Sequence, residues 1–163
     1  MKNKTCCFTG HRNIPQDIFP NIKKHLKNEI RNLINQGIKF FGSGGALGFD
    51  TLSAITVLEL KKEFPHIKLI LALPCKNQTK GWKEFDRTVY NLILDTADKI
   101  VYISEYYQSG CMHKRNRHLV DNSGYCICYL THNSGGTFYT ANYAKEKGVK
   151  IINIANLVNE ELS

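Results

Sequence analysis

Short apolar runs and amphipathic stretches take turns along this chain, and the two kinds of segment have different periods. Runs at residues 5–8, 38–41, 67–73, 99–103, 125–130 and 149–154 are nearly continuous in apolar side chains, the pattern of strands buried on both faces. Between them the apolar positions recur every three or four residues. Over residues 17–36 they fall at Ile18, Ile22, Leu26, Ile30 and Leu33, one face of a helix. Asp17 is positioned to cap that helix, Pro20 fits its first turn and Gly37 ends it. Residues 46–64 are apolar on more than one side, which predicts a central helix closed by Pro65. A third helix is predicted over residues 79–95, with Trp82, Phe85, Val89 and Leu92 on one stripe. Helices over 113–122 and 137–147 follow, and a last short one comes after the final strand.

Strands that alternate with helices of crossover length predict an α/β sandwich of three layers, a mainly parallel sheet with helices on both faces. The chain has 163 residues and shows no internal repeat or linker. One domain over residues 1–163 is therefore expected.

In an open parallel sheet, ligands bind beyond the C-terminal strand ends, where strand order reverses. The loops at that edge are the ones rich in glycine and polar residues. Thr9-Gly10-His11-Arg12 follows the first strand, and Gly42-Ser43-Gly44-Gly45-Ala46-Leu47-Gly48-Phe49-Asp50 the second. Pro74-Cys75-Lys76-Asn77-Gln78 follows the third and leads to Trp82. Ser104-Glu105-Tyr106-Tyr107 follows the fourth, and Thr131-His132-Asn133-Ser134-Gly135-Gly136-Thr137 the fifth. Loops on the opposite edge are mostly short and plain. Two double-glycine turns, Gly44-Gly45 and Gly135-Gly136, each stand between a strand and a helix. There they can bring backbone amides close to a phosphate at a helix N-terminus, or simply make tight turns.

The chemistry around these turns is open in part. Arg12 can clamp a phosphate. Asp50 can accept from a ribose hydroxyl or merely complement a helix dipole. Trp82, Tyr106, Tyr107 and Tyr139 can stack on a base or pack. The cluster His113-Lys114-Arg115-Asn116-Arg117-His118 reads as a solvated helix face, a phosphate clamp or a nucleic-acid patch, with Arg115 and Asn116 best placed for the clamp. The glycine spacing after the second strand is not a dinucleotide fingerprint, and no P-loop motif occurs. Should the protein be an enzyme, Asp50, Glu84 and Glu105 are the candidate acid–base groups.

Composition narrows the setting. The net charge of +8 admits an anionic partner, small phosphate or nucleic acid. No apolar run approaches the roughly 18 residues a membrane helix needs. The first residues lack a secretory leader's apolar core, so a cytosolic protein is expected. Six cysteines occur without any C-x-x-C pair, which predicts reduced, structural thiols and no metal site.

Taken together, Thr9-Gly10-His11-Arg12, Gly44-Gly45-Ala46-x-Gly48-x-Asp50, Gln78 with Trp82, Gly110-Cys111-Met112-x-x-Arg115-Asn116-Arg117 and Gly135-Gly136-Thr137 occur in an order that resembles the YpsA-like branch of the SLOG superfamily. Its relatives include the DprA/Smf and LOG proteins. The resemblance spans roughly residues 5–154. It implies a Rossmann-like fold and a nucleotide or nucleotide-derived ligand, such as an ADP-ribose-like molecule, sensed in bacteria or their phages. It places Thr9, Gly10, His11, Arg12, Ser43, Gly44, Gly45, Asp50, Gln78, Trp82, Arg115, Asn116, Ser134, Gly135, Gly136 and Thr137 at the ligand. LOG enzymes cleave the glycosidic bond of nucleoside monophosphates with a Pro-Gly-Gly-x-Gly-Thr motif and an acidic pair. Here Ser134-Gly135-Gly136-Thr137-Phe138-Tyr139 lacks both the later glycine and the acids. The expectation is a ligand-binding sensor or regulator that needs no cofactor. A nucleoside-phosphate N-glycosidase and a single-stranded nucleic-acid binder are the alternatives, and a homodimer is compatible with the sequence.

Overall fold

A computed structural model describes residues 1–163. Six strands, β1 (Thr5–Gly10), β2 (Phe40–Ser43), β3 (Lys68–Leu73), β4 (Lys99–Tyr102), β5 (Tyr125–Tyr129) and β6 (Lys150–Asn153), alternate with six helices. These are α1 (Phe19–Asn35), α2 (Phe49–Glu63), α3 (Glu84–Thr96), α4 (Cys111–Asp121), α5 (Gly135–Glu146) and α6 (Ile154–Leu162). Every strand pair is parallel and the order is β4-β3-β2-β1-β5-β6. The Rossmann-like α/β expectation holds, with a sheet that is wholly parallel. Strand order reverses between β1 and β5, so the ends of these two strands form the switch point.

Alternation along the strands divides the core. Cys6 and Phe8 of β1, with Ile127 and Tyr129 of β5, pack under α1, α2, α3 and α6 in a cluster of 25 buried residues. Their neighbours Cys7, Cys126 and Cys128 point the other way, into a cluster of 8 under α4 and α5. α2 lies between α1 and α3 with eight buried residues, as its all-round apolar sequence predicts. All six cysteines are free and buried.

Several boundaries differ from expectation for local reasons. α1 begins at Phe19 behind Ile18, with no side-chain cap, so Asp17 does not cap it. β1 runs on to Gly10 and β2 to Ser43, because both keep their ladder bonds past the apolar run. α2 begins only after Gly48, whose φ of 82° breaks the helix. α3 begins at Glu84, and residues 76–81 form turns instead. Trp82 therefore stands ahead of its expected stripe. Its ring still packs edge-on against Tyr90, at 5.4 Å between centroids.

Candidate functional site

At the switch point a cleft of about 300 Å3 opens beyond the strand ends. Thr9 and Gly10 line it from the end of β1, His11 and Arg12 from the loop that follows, Ala46 from the turn after β2, Asp50 from the first turn of α2, and Met112, Arg115 and Asn116 from α4. His132, Ser134, Gly135, Gly136 and Thr137 complete it from the loop after β5. Four chain segments thus converge where the topology directs them.

The start of α5 faces the cleft with its backbone. Ser134 is the N-cap but makes no side-chain capping bond. The first amides of a helix have no intrahelical acceptor, so these donors point outward beside the positive end of the helix dipole. Gly135 has φ of 87°, a conformation in which a side chain is strained. A Cβ at either Gly135 or Gly136 would meet nothing within 4 Å.

The other glycine turn is packed from within. The guanidinium of Arg115 is buried and donates from Nη1 to the Gly44 carbonyl and from Nε to Asn116 Oδ1 at 2.8 Å. A Cβ on Gly44 would overlap that guanidinium. The Gly45 amide donates to Ser43 Oγ at 3.3 Å, and the Ala46 amide to Asp50 Oδ2 at 3.3 Å. Gln78 Nε2 reaches the Gly44 carbonyl at 3.5 Å and Tyr90 Oη at 3.3 Å. The expected pair of bare diglycine corners is therefore corrected to one. Gly44 holds Arg115 directly, Gln78 shares the Gly44 carbonyl, Ser43 and Gly45 bond to each other, and none of the four lines the cleft. Trp82 lies outside it as well.

Asp50 is the cleft's one carboxylate. Burial pushes its pKa up, while Arg115, the Ala46 amide and Arg12 pull it back. Burial in turn lowers the pKa of Arg115, opposed by Asp50. Glu84 is exposed at the start of α3, and Glu105 is exposed in the loop after β4, where its carbonyl accepts from the Lys76 amide at 3.0 Å. Neither reaches the cleft, so of the three acid–base candidates only Asp50 does. Arg12, in contrast to Arg115, is exposed at the mouth.

A contact not foreseen in the sequence joins the two switch-point loops. The rings of His11 and His132 stack at 4.2 Å with an interplanar angle of 5°. His11 Nε2 accepts from the Thr131 amide at 2.9 Å, which leaves Nδ1 to carry the proton of the neutral ring. Burial, and then the neighbouring His132, hold the His11 pKa below its ordinary value. Met112 and Ala46 also line the cleft beyond expectation. His132 could have been singled out by its place directly after β5, opposite His11.

The basic cluster divides along the helix. Arg115 turns inward, whereas His113 and Lys114 are exposed and Arg117 is half-buried on the α4–α5 ridge. There Arg117 Nη1 donates to Tyr139 Oη at 3.2 Å, and His113 packs edge-on against the Tyr139 ring at 4.9 Å. No helix is long and apolar enough to cross a membrane.

The chain is 35% identical over 129 residues to the UPF0398 protein BBR47_29830 of Brevibacillus brevis, covering 77% of this chain and 69% of that one. It is 36% identical over 138 residues to the SPbeta prophage-derived protein YoqJ of Bacillus subtilis, covering 77% and 81%. In fold it is similar to DNA processing protein A of Streptococcus pneumoniae, with a TM-score of 0.66 and 16% identity over 92% of this chain. It spans half the length of that structure. It is similar also to DNA processing protein A of Helicobacter pylori, with a TM-score of 0.60 and 21% identity over 99% of this chain and 81% of that one. The model of the YpsA family, described as the YspA SLOG family, matches residues 6–160, and this chain belongs to that family.

Proposed function

We propose that the protein binds a nucleotide or nucleotide-derived ligand in the switch-point cleft and acts as a sensor or regulator. One observation carries this reading. The uncapped, glycine-lined N-terminus of α5 opens into a cleft that also holds Arg12 and Arg115, with a single buried carboxylate against them. Free amides at a helix start, a dipole and guanidinium groups together favour a phosphate. The cleft's volume lies at the small end of ligand sites, which suits a mononucleotide-sized group. Calorimetry against AMP, ADP, ADP-ribose, NAD and cyclic nucleotides tests it. At least one should bind, and binding should weaken in Arg12→Ala. Silence from all of them, in protein with a cooperative melt, rejects the reading.

A second reading is favoured by the ridge beside the cleft. Arg117 and the His113 ring contact the 44% exposed Tyr139, and Lys114 is exposed on the same helix, a pairing of basic and aromatic side chains of the kind that holds single-stranded nucleic acid. The Helicobacter pylori neighbour is described by its single-stranded DNA binding mode, which supports the comparison at the level of fold. Oligonucleotide binding that falls steeply with salt would favour this reading. Binding unaffected by Tyr139→Ala would count against the ridge.

A further inference from the structure

β6 gives way to α6 at Asn153, but its pairing with β5 continues one step further. The last main-chain pair of the two strands is Cys128 with Asn153. Beyond it the Asn153 side chain takes over. Its Oδ1 accepts from the Leu130 amide at 3.1 Å, and its Nδ2 donates to the Leu130 carbonyl at 3.0 Å. A side-chain amide carries the donor and acceptor of a peptide group, so Asn153 serves as one more residue of β6 after the backbone has left. The same Oδ1 accepts from the Ala155 amide at 3.1 Å and caps α6.

The end of β5 is held from its other side as well. The Thr131 amide donates to His11 Nε2 at 2.9 Å, and the Tyr129 carbonyl accepts from the His11 amide at 3.3 Å. Beyond Thr131 this support ends. Residues 131–136 are exposed, and His132, Asn133 and Ser134 make no hydrogen bond to another element. Ala141 and Ala144 bury the body of α5. Its exposed first turn follows directly from the Leu130–Thr131 anchor.

We propose that Asn153, which lies outside the cleft, is a positioning residue for it. By holding both polar groups of Leu130 it sets where the first turn of α5 stands against His11 and Arg12. The role presupposes the nucleotide reading, in which the start of α5 is the ligand's contact. Capping α6 does not account for the arrangement. Ser, Thr or Asp serves at an N-cap much as Asn does, whereas the bond to the Leu130 carbonyl requires a donor beside the acceptor. Leu130 is half-buried, where an unmet carbonyl is costly.

Asn153→Asp separates the two roles. A carboxylate still accepts from Leu130 and Ala155, so α6 stays capped, but it cannot donate to the Leu130 carbonyl. Asn153→Ser also keeps a cap and loses both Leu130 bonds, and it replaces the first variant should that one not fold. In ligand-free protein with a cooperative melt, the Thr131 amide should exchange with solvent on the order of tenfold faster than in wild type. The Gly135 and Gly136 amide resonances should shift, which loss of a purely local contact at Leu130 would not cause. Calorimetry at about pH 8 should show AMP binding weakened on the order of tenfold. For Asn153→Asp the ratio to wild type should return toward one by about pH 5, because a protonated carboxyl regains the donor. A folded variant with wild-type Thr131 exchange and unmoved Gly135 and Gly136 resonances overturns the proposal. So does wild-type AMP affinity in the variant, or an Asn153→Asp deficit that persists undiminished at low pH. A wild type that ignores AMP refutes the nucleotide reading alone, and the ligand-free exchange and resonances then decide the role of Asn153.

Discussion

Two glycine turns occupy equivalent positions at the C-terminal edge of the sheet, and they have opposite characters. The turn at Gly44–Gly45 is filled. The Gly44 carbonyl accepts from Arg115, the Gly45 amide donates to Ser43 Oγ, and the following Ala46 amide donates to Asp50. The turn at Gly135–Gly136 is open, with no side-chain cap and no atom within 4 Å of either missing Cβ. The same residue type serves tight packing in one and outward-facing amides in the other. A double glycine therefore marks a place where a side chain is excluded, and the surroundings decide whether protein or guest occupies the space.

Substitutions that add one carbon skeleton to each turn should separate the two roles. Gly44→Val forces a branched side chain onto the buried Arg115, and overpacking of this kind should cost about 3 kcal/mol in denaturant unfolding. Arg115→Met removes the donor to the Gly44 carbonyl and a charge facing Asp50. We expect a loss of about 2 kcal/mol on the same measurement. Arg12 is exposed and braces nothing, so Arg12→Ala should leave the melting temperature unchanged and weaken nucleotide binding about tenfold, or 1.4 kcal/mol, by calorimetry.

The pH dependence sharpens the comparison from the filled side. Asp50 holds its proton more tightly in the folded state than in the unfolded chain, because burial outweighs its neighbours. The native state then binds more protons, so this group's contribution is largest at low pH. It is lost as pH rises from the ordinary carboxylate range of about 4 through the raised folded value. Unfolding titrations of Asp50→Asn should lack this decline relative to wild type. Identical pH profiles would refute it. The smallest effect is expected at the open turn. Gly136→Ala should change stability by less than about 0.5 kcal/mol, since its Cβ meets nothing. A loss comparable to that of Gly44→Val would erase the distinction between the turns.

The sequence made the architecture legible because strand and helix periods alternate without interruption, and because glycines and polar residues gather after each strand. The convergence of Thr9–Arg12, Asp50, Arg115 and Gly135–Thr137 followed from topology alone. What the sequence did not show was direction. Arg115 sits in the run His113-Lys114-Arg115-Asn116-Arg117-His118, whose composition suits a solvated face, yet its helical phase turns it inward onto Gly44. The helical stripe drawn through Trp82 failed because residues 76–81 fold as turns, which placed the tryptophan ahead of α3. The His11–His132 stack joins residues 121 apart in the chain, and no local pattern encodes such a meeting.

The two layers of helices are unequally anchored. α4 and α5 carry Met112, Arg115 and Asn116 and the Gly135 corner, yet they rest on 8 buried residues, against 25 beneath the opposite layer. Sub-global opening should begin in the thinner shell, whose amides then exchange with solvent before those of α1 and α2. A guest touching Arg12 on one side and the Gly135 corner on the other would fasten that shell to the sheet. Occupancy would be registered as slowed breathing of one face, a signal a protein of this size can transmit without changing its fold.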